Sequence, residues 1–387
     1  MSLLKSWEEA ARIECGYSSS PNYEAIRSIV ATENQSEANS SLHLNGNQAS
    51  LREKRLNDQD VEVLSHCLID GSVILLSLVL SYNRITDKGV EHIAQYIKEV
   101  KCPLQHLDLS YNDISVDGIA LIADALQFNT SLQHVSLDGN LLEKKGGLDL
   151  AAMLQVNTTL THLTLSNTHL HTDCIIAMAT VLHGNQTIQC LDLSRPLVHS
   201  CLEESTIHIS KMLKISCTLK EIHLSKHDMT DTGVKWMATC LMENPNSSLT
   251  HLDLSCNKLS RDGASHIAEF LLTNPPLEVL NLSCNRIESE GLISLSNALQ
   301  SGNNRLKSLL VISNDIHDAG LLAVANLMQV NSVLSQLHIW GNKWTTPTCD
   351  AFRELLKTGR LQPGDIDVNF YEVDGVTLLA RTLQEAL

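Results

Sequence analysis

A nine-position pattern, L-x-x-L-x-L-x-x-N, returns every 28 to 31 residues along most of this chain, and that period restricts the fold more than any other property. The ninth position falls on Asn83, Asn112 and Asn140, passes through Thr168, Pro196 and His227, and resumes at Asn257, Asn285, Asn314 and Asn342. Self-similarity at a period of roughly 20 to 50 residues marks a stacked solenoid, because each unit buries its apolar face only against its neighbours. A chain of 387 residues can then form one continuous solenoid without exceeding the size at which a closed core divides. The expected domain plan is a helical cap or flexible leader over 1–38, then a solenoid of about eleven to twelve units over 39–387.

Within a unit the first half predicts a short strand and the second a helix. After Leu104, the buried-type residues Leu107 and Leu109 alternate with His106, Asp108 and Ser110, the period of a strand with one apolar face. Ile114, Ile119, Ile122, Ala123 and Leu126 then follow helical spacing. Parallel strands stack about 4.8 Å apart whereas helices need roughly 10 Å, so an α/β horseshoe is expected, with parallel strands on the concave face and helices on the convex face. The ninth-position Asn has an amide that can donate and accept at once, which suits backbone groups left unpaired where turns stack. Its loss at Thr168, Pro196 and His227 makes the middle of the solenoid the least regular part.

The polar residues have local assignments. Asp87, Asp117, Asp231, Asp262, Glu290 and Asp318 each stand just before a Gly at the start of a helical stretch, where a carboxylate meets the positive end of the helix dipole. Asn129, Asn157 and Asn185 open N-x-[ST] triplets in phase with the repeat; they are read as helix-ending residues in the left-handed conformation rather than glycosylation acceptors. Eleven cysteines, scattered and without C-x-x-C pairs, are read as reduced thiols. The first twenty residues lack the apolar run of a secretory signal, and no apolar stretch is long enough to span a bilayer. A cytoplasmic or nuclear protein is therefore expected.

Units such as LQHLDLSYNDISVDGIALIADALQFNTS and LTHLDLSCNKLSRDGASHIAEFLLTNPP, about 28 residues long with a full helix each, resemble the ribonuclease-inhibitor-like class of leucine-rich repeats over roughly 42–387. The resemblance implies the solenoid and a protein-binding role; members include ribonuclease inhibitor, the Ran GTPase-activating protein, sensor ends of nucleotide-binding immune receptors and tropomodulin-like actin regulators. This chain departs from each. Its repeats are nearly uniform and poorer in cysteine than those of ribonuclease inhibitor. It has no G-x-x-x-x-G-K-[ST] nucleotide loop. It ends in LLARTLQEAL, read as a helix, where the Ran activator has an acidic tail.

Three groups of residues are candidates for function. His106, His134 and His162 occupy one outward column on successive strands, next to Asp108; they are a weak candidate zinc set, since a linear row converges poorly on one ion. Leu310, Ile312, Trp340 and Phe370 make the far end of the strand face apolar where earlier units carry Ser, Asp or Asn, Trp344 follows in the adjoining turn, and His338 of the same strand column joins them as a candidate. Such a cluster reads either as a partner site or as packing beneath a terminal cap. Arg195 and Lys226 stand at equivalent positions of consecutive units, flanked by His199 and Lys220; they read either as a site for a carboxylate, phosphate or regulatory contact or as solvated surface charge.

No nucleophile elbow, HExxH or paired-carboxylate signature is present, so neither catalytic residues nor a cofactor are expected. The balance of 44 acidic against 28 basic residues, a net of −16, disfavours nucleic acid and favours either a basic protein partner or simply good solubility. The expectation is a non-enzymatic scaffold that binds a protein on its concave face, with no membrane association; a GTPase activator of the Ran type is the alternative.

Overall fold

The computed structural model describes residues 3–13, 17, 20, 22–33, 40–69, 74–197, 203–374 and 376–382. His199 and the end of the LLARTLQEAL segment lie outside them. Two compact units divide the chain, Met1–Leu197 and Val198–Leu387.

The first unit begins with helices α1 (Leu3–Ile13) and α2 (Tyr23–Glu33). Strand and helix then alternate: β1 (Ser41–His43), α3 (Asp58–Ile69), β2 (Ser77–Val79), α4 (Asp87–Lys98), β3 (His106–Asp108), α5 (Val116–Phe128), β4 (His134–Ser136), α6 (Glu143–Val156), β5 (His162–Thr164), α7 (Thr172–Val181) and β6 (Cys190–Asp192). Each strand pairs in parallel with the next in chain order. The register lines up Leu42, Leu78, Leu107, Val135, Leu163 and Leu191 in one buried row, so the fourth letter of the repeat motif builds the core of the sheet. Ile114, Ile119, Ile122, Ala123 and Leu126 are buried as the helical spacing predicts.

The second unit repeats the arrangement with α8 (Glu204–Leu213), β7 (Glu221–His223), α9 (Asp231–Met242), β8 (His251–Asp253), α10 (Arg261–Leu272), β9 (Val279–Asn281), α11 (Glu288–Gln300), β10 (Ser308–Leu310), α12 (Asp318–Val330), β11 (Gln336–His338) and α13 (Thr346–Lys357). Its parallel strands align Ile222, Leu252, Leu280, Leu309 and Leu337, all buried. In both units successive helices pack side by side on the other face. Both are therefore leucine-rich repeat solenoids of α/β class.

The ninth-position asparagines act as two-way connectors. Asn112 accepts from the Ile85 N–H of the preceding repeat at 3.2 Å and donates to Leu80 O at 3.0 Å and Leu109 O at 2.9 Å. Asn257 does the same for His227 N–H, Met229 N–H, Leu224 O and Leu254 O. Thr168, with a shorter side chain, donates to Leu165 O inside its own repeat.

Three expectations about local structure need correction. Asn129 and Asn157 end helices in extended conformation, with φ of −73° and −70°, and not in the left-handed region. They cap through the side chain instead: the Asn129 amide donates to Ile97 O at 2.9 Å while its carbonyl accepts from Ser131 and Leu132 N–H. Asn185 bonds in the same way to Leu154 O, Thr187 N–H and Ile188 N–H. The reason is the next strand, which the Asx geometry starts without requiring positive φ.

Secondly, the helix-start acids do more than face their own dipole. Asp87, Asp231 and Asp318 each accept from the first residues of the following helix, Ser115, Ser260 and Thr345 respectively, through both backbone N–H and hydroxyl. Asp58, not singled out in the sequence, binds Thr86 and the Gly89 N–H in the same manner. A Cβ at Gly89 would collide with that carboxylate, which explains the Gly that follows these acids. Asp117 and Asp262 are exposed and stand near Lys145 and Arg261 instead.

Thirdly, the segment LLARTLQEAL, read as a terminal helix, begins as a strand over 378–381. β12 (Val368–Val373) and β13 (Val376–Arg381) form an antiparallel hairpin with Val373 opposite Val376. Asp374 at the turn has φ of 52°, as a tight hairpin requires. The hairpin is tied to α13 by Thr377 to Asp350 at 3.3 Å and Arg353 to Glu372 at 3.7 Å.

Candidate partner-binding surfaces

Residues just before the ninth position fix how the strand face ends. Tyr82, Tyr111, Asn167 and Arg195 in the first unit, and Lys226, Cys256, Cys284 and Ser313 in the second, all have positive φ between 52° and 61°. This turn lifts each side chain away from the core row, so a column of varied residues borders the strands. In the first unit the column carries an aromatic stack, with the Tyr82 and Tyr111 rings 4.5 Å apart and within 9° of parallel. Gly139 follows in the column, and a Cβ there would overlap the Tyr111 ring. The sequence holds this signal in the in-phase pairs Tyr82-Asn83 and Tyr111-Asn112, where the regular Asn overshadows the aromatic residue before it.

The histidine column is present as expected, but as a row. His106 and His134 meet edge to face at 6.0 Å between centroids, and His134 and His162 are tilted at 4.0 Å. Hydroxyls hold the outer members: Ser77 Oγ lies 2.8 Å from His106 Nδ1, and Thr161 Oγ1 lies 2.8 Å from His162 Nδ1. Burial pushes His106 and His134 below the ordinary imidazole range, and neighbouring imidazoles add to this. Asp138, beyond the fourth strand, was not singled out in the sequence. Burial, helped by Asp192 and Asp108, raises its carboxyl to about 6, against the opposing hydrogen bond from Ser166 N–H.

In the second unit the strand face changes character along its length. The first repeats alternate acid and imidazole, with His251 Nδ1 3.7 Å from Glu221 and His223 Nδ1 3.7 Å from Asp253. Burial alone would raise Asp253, but hydrogen bonds from His223 and Ser255 hold it below its usual value. Toward the last repeats Leu310, Ile312, His338, Trp340 and Trp344 are each partly accessible. The Trp340 and Trp344 rings lie 5.7 Å apart at 46°. Phe370 belongs to the hairpin, where it pairs with Leu379.

The terminal segment reaches Trp340 through its backbone. The Asp367 carboxylate accepts from Ile339 N–H at 2.8 Å and Trp340 N–H at 3.1 Å, replacing the partners that a further repeat would supply. Arg195 and Lys226 are both exposed, at φ of 58° and 60°, each on the turn column of its own unit. Arg195 acts on Tyr111, lowering a phenol that burial raises, and Lys226 acts similarly on the Cys284 thiol.

A model for the Leucine Rich repeat family matches residues 74–94, 100–123, 216–238, 246–268 and 273–296. Leucine-rich repeat-containing protein 34 of Mus musculus is 43% identical over 180 residues, 46% of this chain and 43% of that protein. The Homo sapiens protein of the same name is 39% identical over 187 residues, 48% of this chain and 40% of its own length. The matched region thus spans less than half the length of these curated relatives. RAN GTPase-activating protein 2 of Arabidopsis thaliana is 25% identical over 142 residues, 37% of this chain and 26% of that protein. An internalin from Listeria monocytogenes, 18% identical, aligns over 87% of this chain and 92% of its own at a TM-score of 0.44. Matched repeats in sequence, and the strand–helix alternation within each unit, show that this chain carries leucine-rich repeats.

Proposed function

We propose that the chain is a non-enzymatic interaction scaffold that holds a protein partner against the strand face of its second unit. The observation that carries this reading is the Trp340–Trp344 pair, half accessible and 5.7 Å apart at the end of a face that is otherwise polar. Aromatic side chains in that state lose little conformational freedom on binding and release ordered water, which is why they dominate contact energies. Leu310, Ile312 and His338 extend the patch on adjoining strands, and Phe370 stands on the neighbouring hairpin. A partner of basic character suits the net charge of −16. Arg195 on the first unit and Lys226 on the second are each, separately, secondary contact candidates for acidic groups on a partner.

The strand-face histidines His106, His134 and His162 stand one per repeat in a line, rather than around a point where a substrate could be held, which supports binding over catalysis. A cytoplasmic or nuclear setting suits reduced thiols, of which Cys217 and Cys284 are exposed. Among the described residues, no helix is long and apolar enough to cross a membrane.

Proximity labelling with wild type, Trp340→Ala and Arg195→Glu/Lys226→Glu chains tests the reading. Trp340→Ala leaves the Asp367 contact intact because that bond uses the backbone N–H. The expected result is loss of specific partners with an unchanged melt. An unchanged labelling profile, or collapse of the cooperative melt, would instead assign the tryptophans to packing of the terminal segment. Stimulated GTP hydrolysis by a small GTPase would overturn the scaffold reading in favour of the activator alternative.

A further inference from the structure

The sequence directs attention to histidines on the strands, yet the first unit brings a different set together on its helices. Glu62 and His66 lie one turn apart on α3, and His92 projects from α4, the helix packed beside it. One ligand atom from each of the three lies within 4.8 Å of the other two. The Glu62 carboxylate is 4.0 Å from His92 Nε2, and the two imidazole centroids are 6.2 Å apart, edge to face. We propose that Glu62, His66 and His92 form a surface binding site for a zinc-like divalent transition-metal ion, joining the helices of two adjacent repeats.

The argument rests on convergence. In the row His106, His134 and His162, side chains leave parallel strands in the same direction, so no point is equidistant from three donors along its length. Here two donors come from successive turns of one helix and the third from its neighbour, so they approach a point from two sides. Donors around a tetrahedral zinc stand roughly 3.3 Å apart, given Zn–N distances of about 2.0 to 2.1 Å. The three groups must therefore close in by about an ångström, which rotation about their side-chain torsions supplies because His66 is exposed and Glu62 and His92 are partly so. Two neutral imidazoles and a carboxylate suit zinc or a similar borderline cation rather than calcium or magnesium, which prefer oxygen donors. Water would complete the shell at the open position.

The backbone beneath is well fixed. Val61, Val63, Leu64, Cys67 and Leu68 of α3 and Ile93, Ala94 and Ile97 of α4 are buried, so the two helix backbones that carry the donors are anchored to the core and only the side chains need to move. The ordinary alternative is a surface Glu62–His92 ion pair formed when the imidazole is protonated. These differ in their dependence on His66, which the ion pair does not require.

Zinc binding to the full-length, tag-free chain, kept reduced and measured by competition with a chromophoric chelator, tests the proposal. The panel is wild type, Glu62→Gln, His66→Asn, His92→Asn and the strand-face double variant His134→Asn/His162→Asn. Expected is one bound ion in wild type and the strand-face variant. Each of the three single variants should weaken binding by at least the roughly tenfold that loss of a mere supporting contact produces. X-ray absorption should show nitrogen and oxygen donors without sulfur, and zinc should raise the melting temperature of wild type but not of His66→Asn. Absence of binding, sulfur in the shell, or equal affinity in wild type and His66→Asn would overturn it. The substitutions are polar, similar in size and on accessible side chains, so a far-ultraviolet melt without zinc confirms that each variant is folded.

Discussion

The carboxylate of Asp87 reaches one repeat forward to Ser115, accepting from its backbone N–H at 2.8 Å and from its hydroxyl at 2.5 Å. The same relationship joins Asp58 to Thr86, Asp231 to Ser260 and Asp318 to Thr345. A helix N-terminus leaves N–H groups without intrahelical partners, and here the previous helix supplies an anion for them. Cohesion between repeats is therefore polar at the helix starts as well as apolar in the core. Asp87→Ala should cost about 1.5 to 3 kcal/mol, the range for hydrogen bonds to a charged group. Asp117→Ala, removing an exposed carboxylate 3.6 Å from Lys145, should leave the melt nearly unchanged. Urea unfolding of both variants checks the contrast, and equal midpoints would remove the inter-repeat role.

Asp138 gives stability a pH dependence with a defined sign. Its folded value of about 6 lies above the ordinary 3.8, so the fold favours the protonated carboxyl. Its stabilising contribution is full below about pH 4, declines between about 4 and 6, and is absent above that. Allowing for partial solvent screening, the cost of ionising it in the folded state is about 1 to 2 kcal/mol. Asp138→Asn keeps a carbonyl acceptor for the Ser166 N–H and removes the ionisation. The variant should melt higher than wild type at pH 7.5 and no higher at pH 4. A constant difference across that range would contradict the assignment.

How much was legible in the sequence depended on whether the determining contacts lay along the repeat or across it. Leu107 and Leu109 announce a buried strand face by alternation, and Asn112 announces its own role because an amide has few other uses at a fixed phase. The hairpin is also legible, in Asp374-Gly375 between Phe370-Tyr371 and Thr377-Leu378, but the apolar run LLA suits a helix equally well by composition. The Asp87 bond to Ser115 depends on which way a carboxylate leans, a choice made by the neighbouring helix and invisible in one repeat. Glu62, His66 and His92 were missed for a related reason. Their spacing is helical on one element and inter-element for the third, whereas His106, His134 and His162 stand out because they share a column. At the tryptophans, composition marked Trp340 and Trp344 as exceptional, while the attachment of the last segment through the Trp340 backbone could come only from the Asp367 side chain.

The histidine row makes a separate spectroscopic prediction. Burial lowers both His106 and His134, and Asp108 partly opposes this at His106. Their imidazole proton resonances should titrate with midpoints below the unperturbed value of about 6.5. Asp108→Asn should move the His106 midpoint lower still and leave that of His134 nearly unchanged, since Asp108 is an influence on the first ring. Nuclear magnetic resonance titration checks both, and an upward shift of His106 in Asp108→Asn would show that the carboxylate is not acting on that ring.

Cys256 and Cys284 occupy the same turn position in consecutive repeats of the second unit, with φ of 55° and 57°. The parallel register that pairs Asp253 with Asn281 continues into the turn, where Cys256 N–H donates to Ser283 O at 2.8 Å. Adjacent backbones at about 4.8 Å fall inside the roughly 4.4 to 6.8 Å between Cα atoms that a disulfide requires. Burial together with the neighbouring Cys256 pushes the Cys284 thiol up, against the pull of Lys226. Hydrogen peroxide should therefore close this pair: one thiolate is oxidised to a sulfenic acid, the second thiol displaces water from it, and the chain loses two hydrogens in total. Because the thiolate is the reacting form and Cys284 is raised, closure should be faster at pH 9 than at pH 7. Intact mass and peptide mapping should locate the bond at Cys256–Cys284, with Cys217 still open to alkylation, and Cys284→Ser should abolish it. Oxidation that consumes Cys217 first, or sulfenic acid at Cys256 persisting beside an intact Cys284 thiol, would show that the turn column does not hold the two sulfurs within bonding reach.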